Sequence, residues 1–430
     1  MVEYKYLRPK KADHLRKWHE DGFEKIKELK CDSYIDAVIL PIKKQNDDGM
    51  QFGLGGVVDS QGVYVESSSI EKRVGGAYPY SISRVENSKV VYCGYCVKHW
   101  GHFLIEAVAR IWYFLENDNS VDKYVFVSEE NGSTELFGNY LEFFELLGVA
   151  DKLQIINKPV KYREVLVPEL SYSRKYYYHD KYKEVFDRIA ENANKSFKQN
   201  KKMPKKVFLS RSQFAKAKQA EIGLDYLDHY FSKNGYTILY PEKLSLTQLI
   251  QYLYNADVCA SSSGTIPHNL LFSQKGKKAI IVERQTTVNE IQANIDIVCD
   301  LDVTYIDGHY SIYPVLAGYG PYIFGYTKCF QKFNEDFENI PPDKFYCTDR
   351  YYKTAVRKYL QEYRRTYGYC WGMEEWQLMY ADAHYEAYLD SLSVFSQYIN
   401  GTIPFMRYHY FSPHYLKQII KKILRKGRYS

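Results

Sequence analysis

The chain of 430 residues has no run of about 18 apolar residues, the length a membrane-crossing helix needs. Its opening, Met1-Val-Glu-Tyr-Lys-Tyr-Leu-Arg-Pro-Lys-Lys11, lacks the apolar stretch of a secretory signal, so a cytoplasmic location is expected. No repeat or low-complexity tract stands out, which argues against solenoids and disordered polymers. Charge of neither sign dominates. The net charge is +6, too small an excess to call for nucleic acid as a partner. Cysteine is sparse: Cys31, Cys93, Cys96, Cys259, Cys299, Cys329, Cys347 and Cys370 are scattered, and reduced thiols are expected. Cys93-Gly-Tyr-Cys96 is one C-x-x-C without the second pair or the spaced histidines of a zinc site. Asp300-Leu-Asp302 is a lone D-x-D, and no other cluster has metal-ligand spacing. No metal-ligating residue or cofactor is therefore expected, and whether a divalent ion accompanies substrate stays open.

What is present fits a globular protein of two or three domains. Hydrophobic residues make up 45% and charged residues 26%. Tyrosine is abundant, at 44 residues. Its ring can stack on sugars, but biased codon usage accounts for most of it more simply. An amphipathic helix is expected over 12–29 and strands at Ile35–Ile42, Val90–Cys93, Lys123–Val127, Leu153–Ile156 and Val165–Val167. A glycine-rich strand–turn–strand is expected over Gly55–Gly62. Helices are expected at Lys98–Leu115 and Tyr140–Leu147, the latter stopped by Gly148. After a basic linker, Lys195–Lys206, a second alternation begins. Strands are expected at Val207–Leu209, Tyr236–Tyr240, Val258–Ser261 and Lys278–Val282. Helices are expected between them at Tyr226–Asn234, Leu246–Asn255 and Ile266–Phe272. Short connections between such elements indicate a doubly wound parallel sheet. Beyond about residue 330 the chain reads as helical, over Asp349–Tyr367 and Glu374–Tyr398.

The segment Lys98–Leu115 carries the first chemical signal. At about 100° per residue, His99, His102, Glu106 and Arg110 fall within an arc of about 80°. Leu104, Val108, Ile111, Trp112 and Leu115 fall opposite. A carboxylate one turn from a histidine can fix its tautomer or share its proton, and either group could take a proton from an attacking hydroxyl. An ordinary solvated face with a helpful i,i+4 pair is the plain alternative.

The second signal lies in the second alternation. Ser210-Arg211 follows a strand, where open α/β sheets bind ligands, and an arginine there can grip a diphosphate. Ser262-Ser263-Gly264-Thr265-Ile266-Pro267-His268-Asn269 runs from strand into helix, a setting that attracts phosphate. A serine-rich helix cap is the alternative. At the far end, Ser412–Ser430 places Leu416, Ile419, Ile420, Ile423 and Leu424 on one helical face among lysines and arginines, with no acidic residue. Such a helix can lie on an anionic membrane surface or pack on the protein.

Taken in order, these segments resemble glycosyltransferase family 61 over roughly residues 50–300. The resemblance runs through Gly55-Gly56-Val57-Val58-Asp59, Trp100-Gly-His-Phe-Leu-Ile-Glu106 and Tyr140-Leu-Glu-Phe-Phe-Glu-Leu-Leu-Gly148. It continues in Glu164-Val-Leu-Val-Pro168, Val207-Phe-Leu-Ser-Arg211, Pro241-Glu242 and Ser263-Gly264 to Asn269-Leu-Leu-Phe272. It implies a GT-B architecture of two Rossmann-like domains facing a cleft. The implied divisions are an acceptor-side domain over 1–198, a nucleotide-sugar-binding domain over 199–325 and a helical extension over 326–430. It implies an inverting transfer from a nucleotide-sugar, a UDP-sugar first, to a hydroxyl of a surface polysaccharide or lipid-linked glycan. The implied catalytic groups are Glu106, His102 and His99, with Glu106 as base and His102 as its partner, or the reverse. The implied donor-side residues are Ser210, Arg211, Glu242, Ser262, Ser263, Gly264, Thr265 and Asn269. The family's usual His-Gly-Ala is here Ser263-Gly264-Thr265, and its further arginine and Asn-Glu pair are missing. Lys216 or Lys218 would supply the charge and Glu221 the carboxylate. A phosphotransferase or pyruvyltransferase of cell-wall polymers, or a non-catalytic glycan-binding relative, are the other readings.

Overall fold

The computed structural model describes residues 2–44, 53–71, 74–117, 120–195, 203–310, 315 and 320–343, with scattered positions from 351 to 366. The expected elements over Glu374–Tyr398 and Ser412–Ser430, most of the linker, and most of Asp349–Tyr367 lie outside the described residues.

Two sheets form the scaffold of this α/β protein. The first has seven strands. Its parallel half runs Val160–Pro168, Arg84–Tyr95, Lys123–Val127, Leu153–Ile156. Antiparallel to Val160–Pro168 are Val38–Lys43 and Cys31–Ile35, and Leu54–Val58 closes the edge beside Val38–Lys43. The second sheet has six strands, all parallel, in the order Val2–Tyr6, Asp302–Asp307, Lys278–Glu283, Val258–Ser262, Lys206–Leu209, Thr237–Leu239. Parallel strands are covered on both faces, and so their sequences are short continuous apolar runs such as Val-Val-Tyr at 90–92, which is wholly buried.

Helices on the two faces of the second sheet differ in what they touch. Leu224–Lys233 and Lys328–Asp336 enclose a separate aromatic core with Phe208, Phe231, Phe330 and Phe333. Leu246–Asn255, Ile266–Phe272 and Glu290–Val298 join the main core, which is continuous with that of the first sheet. Phe272 packs against Phe186 and Phe143 of the first unit at ring-centroid distances of 5.2 and 6.3 Å. Fully burying such side chains contributes about 1.5–3 kcal/mol each.

Several expectations change. The helix expected over 98–115 is broken into one α turn (Trp100–His102), a π turn (Phe103–Ala107), a 3₁₀ turn (Ile111–Tyr113) and a last short turn (Phe114–Asn117). Ile35–Ile42 is two strands, because Asp36 takes a left-handed φ of 56° between them. The first helix is Pro9–Asp21, started by proline at its first turn and ended before Gly22. Ile266–Phe272 is 3₁₀. The strand Val2–Tyr6 pairs with Asp302–Asp307, so the first residues of the chain complete the second sheet and not the first. Among the described residues no helix is long and apolar enough to cross a membrane.

Candidate active site

Each sheet has a point where its strand order reverses. Arg84–Tyr95 lies between its successor Lys123–Val127 and the later strand Val160–Pro168. Lys206–Leu209 lies between its successor Thr237–Leu239 and the later strand Val258–Ser262. Connections leave to opposite sides there, and a crevice opens beyond the carboxyl ends of the strands. Tyr95 leads toward His99, Leu209 leads into Ser210-Arg211, and Ser262 leads into Ser263-Gly264. The two crevices share one cleft of about 430 Å³. Lys98, His99, Trp100 and Tyr140 line it from the first unit; Arg211, Glu242, Thr265 and Asn269 line it from the second.

On the first wall His99 is extended (φ −135°, ψ 111°) and exposed at the lip of the first turn. Its ring lies 4.8 Å from that of His102. His102 Nδ1 is 3.1 Å from Glu106 Oε2. The His102 side chain is 29% exposed and that of Glu106 only 5%, so the histidine reaches solvent and the carboxylate stands behind it. The π turn between them is an energetically poor form of helix found disproportionately at functional sites. The apolar face is as expected, with Leu104, Val108, Ile111 and Trp112 buried.

Arg110 corrects the expected ionisable row. It is 1% exposed and donates to the carbonyls of Pro168, Ser67 and Ser69 (2.9, 2.7 and 2.8 Å), with its guanidinium over the Tyr92 ring. It ties three segments together inside the first unit and does not face the cleft. The π turn has shifted the helical phase before residue 110 is reached.

On the second wall Arg211 and a second arginine, Arg284, share one carboxylate. Arg284 Nη1 donates to Glu221 Oε1 at 2.6 Å, and Arg211 Nε lies 3.3 Å from the same oxygen. Burial lowers the Arg211 pKa; for Arg284 burial is the largest single effect, but Glu221, Tyr322 and Glu283 together outweigh it and raise the pKa. Two guanidinium groups are thereby fixed beside the strand ends, with Glu242 also on this wall, and a guanidinium fork suits the oxygens of a diphosphate. Gly264, at φ 126°, passes so close to Arg284 that a Cβ would lie 2.7 Å from Nη2. The Ser263 hydroxyl accepts the Arg284 backbone N–H at 3.1 Å. Ser262 Oγ is buried with no hydrogen-bond partner among the described residues.

Other expected donor-side residues are placed differently. The Ser210 hydroxyl accepts from the Ser212 N–H at 3.0 Å and lies turned into its own loop. Asn269 accepts from Trp100 Nε1 at 2.9 Å and donates to the Ile266 carbonyl at 2.8 Å, so it joins the two walls. Thr265 packs on Gly101, where a Cβ would lie 2.7 Å from Thr265 Cγ2. The side chain of Lys216 lies outside the described residues. The Asp300–Asp302 triplet sits at the amino end of its strand, opposite the cleft end. Among the described residues no group of three metal-ligating side chains converges. Cys93 and Cys96 are buried free thiols; burial pushes Cys96 up to about 12 and Cys93 further, which disfavours the thiolate needed for metal or redox work.

Two residues were not anticipated. Arg284 follows the strand Lys278–Glu283, so the strand-end rule that singled out Arg211 applies equally to it. His268 is 4% exposed, and neither ring nitrogen has a hydrogen-bond partner among the described residues. Burial, then the neighbouring His102, His99 and Arg284, pull its pKa down to about 3. It lies between the two walls as a neutral imidazole.

The class is thus an α/β protein whose two sheets bring His99, next to a histidine–carboxylate pair, and Arg211, next to a second arginine, to one cleft. The family model described as Glycosyltransferase 61 matches residues 100–281, and that stretch, which holds most of both walls, belongs to glycosyltransferase family 61. A sugar donor and an acceptor are the partners the family implies. No curated protein matches the chain.

Proposed function

We propose that the protein transfers a sugar, with inversion, from a nucleotide-sugar to a hydroxyl of a growing surface polysaccharide or lipid-linked glycan. The arrangement is GT-B-like: an acceptor unit within residues 1–198 and a donor unit within 199–325, the latter completed by the strand and helix over 2–21. A UDP-sugar is the first donor to try. The observation that carries this reading is that His99, whose ring lies against the His102 of the His102–Glu106 pair, and Arg211, which shares Glu221 with Arg284, line one cleft beyond the switch points of two different sheets.

The exposures favour His102 as base, reversing the first assignment. Glu106 accepts from Nδ1–H, which leaves the Nε2 lone pair for the acceptor hydroxyl. The proton passes to Nε2 as the acceptor oxygen bonds to the anomeric carbon. The bond from that carbon to the diphosphate oxygen breaks, and its electron pair leaves with the nucleotide. Arg211 and Arg284 offset the charge that develops there. A cytoplasmic place of work goes with this reading; the basic tail Ser412–Ser430 lies outside the described residues.

A thermal-shift screen against UDP-, GDP-, CMP- and dTDP-sugars, with and without a divalent ion, tests the donor assignment. Ligand that binds only the folded state raises the melting temperature, by an amount equivalent to about 2.7 kcal/mol at 100 times Kd. One nucleotide class is expected to shift it, and Arg211→Ala to abolish the shift. A shift unchanged in Arg211→Ala removes the arginine pair from the donor site. His102→Ala is expected to cut turnover by about 10²–10⁴ with the donor shift retained, and Glu106→Gln to act in the same direction.

A further inference from the structure

The cleft holds an aromatic side chain that the transfer step leaves unused. Phe214 lines it with 40% of its surface exposed. Among the described residues no other ring packs on it; its contact is with the Arg211 guanidinium, 5.8 Å from the ring centroid.

A single turn puts the two side chains together. The Phe214 N–H donates to the Arg211 carbonyl at 2.9 Å, closing a turn over 211–214 whose first and last residues both line the cleft. The tip residues, Ser212 and Gln213, line a different cavity. Hydrogen bonds fix the turn. The Ser212 N–H donates to the Ser210 hydroxyl at 3.0 Å, and the Ser212 hydroxyl donates to Asp228 Oδ2 at 2.6 Å. Arg211 is oriented through Nε, 3.3 Å from Glu221 Oε1, and its terminal nitrogens make no hydrogen bond among the described residues.

The rest of the lining limits what the ring can take. Trp100, Tyr140, Pro241, Leu249 and Ile266 are largely apolar. Lys98 donates to the Glu135 carbonyl at 2.9 Å, and the Asn269 amide is occupied at both ends, by Trp100 and by the Ile266 carbonyl. A hexose would bring several hydroxyls here, and each costs free energy when buried without a partner. A nucleobase brings π faces, which stack on an aromatic ring whatever the base.

We propose that Phe214 stacks on the nucleobase of the donor, while Arg211, at the other end of the same turn, holds the adjoining phosphates. The ribose spans the gap between them. This assignment deepens the glycosyl-transfer reading and rests on it. The stack supplies affinity without choosing the base, since every base has such a face.

Calorimetric titration of the full chain tests it, with UDP, GDP, CMP, dTDP and inorganic pyrophosphate as probes. The chains compared are the wild type, Phe214→Ala, Phe214→Trp and Arg211→Ala. Because the ring is exposed, Phe214→Ala should keep the wild-type melting temperature. The wild type is expected to bind at least one nucleotide more tightly than pyrophosphate. Phe214→Ala should weaken that nucleotide at least tenfold, within the range of about 5- to 150-fold for loss of one base stack, and leave pyrophosphate unchanged. Phe214→Trp should keep the nucleotide affinity, and Arg211→Ala should weaken both kinds of probe. If the nucleotide depends on Arg211 but binds Phe214→Ala as it binds the wild type, the stack is refuted while the donor site stands. If Phe214→Ala weakens nucleotide and pyrophosphate alike, the ring only holds the turn and the proposal falls. The proposal also falls if Phe214→Ala spares UDP but weakens a UDP-sugar, because the ring then holds the sugar. If neither a nucleotide nor pyrophosphate binds the wild type, the donor assignment fails and the stack fails with it.

Discussion

An imidazole buried with both nitrogens unbonded is costly, because each buried polar atom left without a partner forfeits about 1–3 kcal/mol relative to water. His268 is such a residue, and an apolar side chain would pack there at lower cost. It lies beside His102, His99 and Arg284, groups of both walls. His268→Leu is therefore expected to raise the melting temperature by a few degrees while lowering kcat. A variant that loses stability would show that the ring already has a structural partner. The pH dependence gives a separate check. The folded pKa of about 3 lies below the ordinary value of 6.5, so between these values the unfolded chain binds the proton and the folded one does not. The stability associated with neutral His268 is complete above about pH 6.5 and is lost as pH falls toward 3. Melting curves of His268→Leu should fall less steeply across that window. The acid sensitivity that remains includes that of His309, another buried histidine whose pKa burial lowers.

At the scale of elements, the turn Trp100–Ala107 depends on how closely it approaches the opposite wall. Gly101 is the contact, and a methyl group there would meet Thr265 Cγ2 at 2.7 Å. Gly101→Ala is expected to push the base away from the donor loop and to reduce kcat by about 10²-fold, the usual cost of an ångström of misplacement. Thr265→Ser removes the offending Cγ2 and should restore much of that loss in the double variant; no recovery would mean that the glycine acts through backbone freedom. This turn also marks where sequence reading stops. Apolar period located the buried face, because Leu104, Val108 and Ile111 hold their phase closely enough. It misplaced Arg110, since a π turn adds a residue that no pattern of polarity announces. Strands did better: Lys123–Val127, almost wholly buried, is legible to the residue because buried parallel strands are short apolar runs bounded by polar turns, and the half-buried edge strand Leu153–Ile156 keeps enough of that pattern to be read as well. The helix Asp180–Lys195 has a readable period in Tyr182, Val185, Phe186, Ile189 and Ala193, all of them buried. Glu290–Val298 is harder, because Gln292, Asn294 and Asp296 are buried polar residues and blur the apolar stripe. Their partners, Trp18, Tyr172 and Tyr305 among them, lie outside the helix and are invisible to any local window.

For the whole molecule, the least legible feature is the contribution of the first residues to the second sheet, with nearly three hundred residues between the paired strands. No local pattern encodes it; a buried ionic cluster secures it. Lys11 bridges Glu283 and Asp307 at the ends of adjacent strands, and the Arg8 N–H and guanidinium add bonds to Asp307 and His309. Burial alone would raise the Asp307 pKa, but Lys11, Arg8 and His309 outweigh it and hold the group down at about 2. Glu283 moves the other way, raised by burial against the same lysine. Replacing the lysine by a side chain of similar length, Lys11→Met, leaves two carboxylates buried without their shared cation. Removing one partner of a buried pair costs about 3–5 kcal/mol, so a large fall in melting temperature is expected. The acid side carries the sign. A carboxylate with a depressed pKa contributes stability above its unfolded value near 4 that is lost as pH falls through about 2. In Lys11→Met the depression shrinks, so the stability gap between variant and wild type should be widest near neutral pH and narrow as pH falls from about 4 toward 2. A variant that unfolds at the wild-type temperature and pH would show that the first strand and helix are held by apolar packing through Leu7, Ala12 and Leu15 alone.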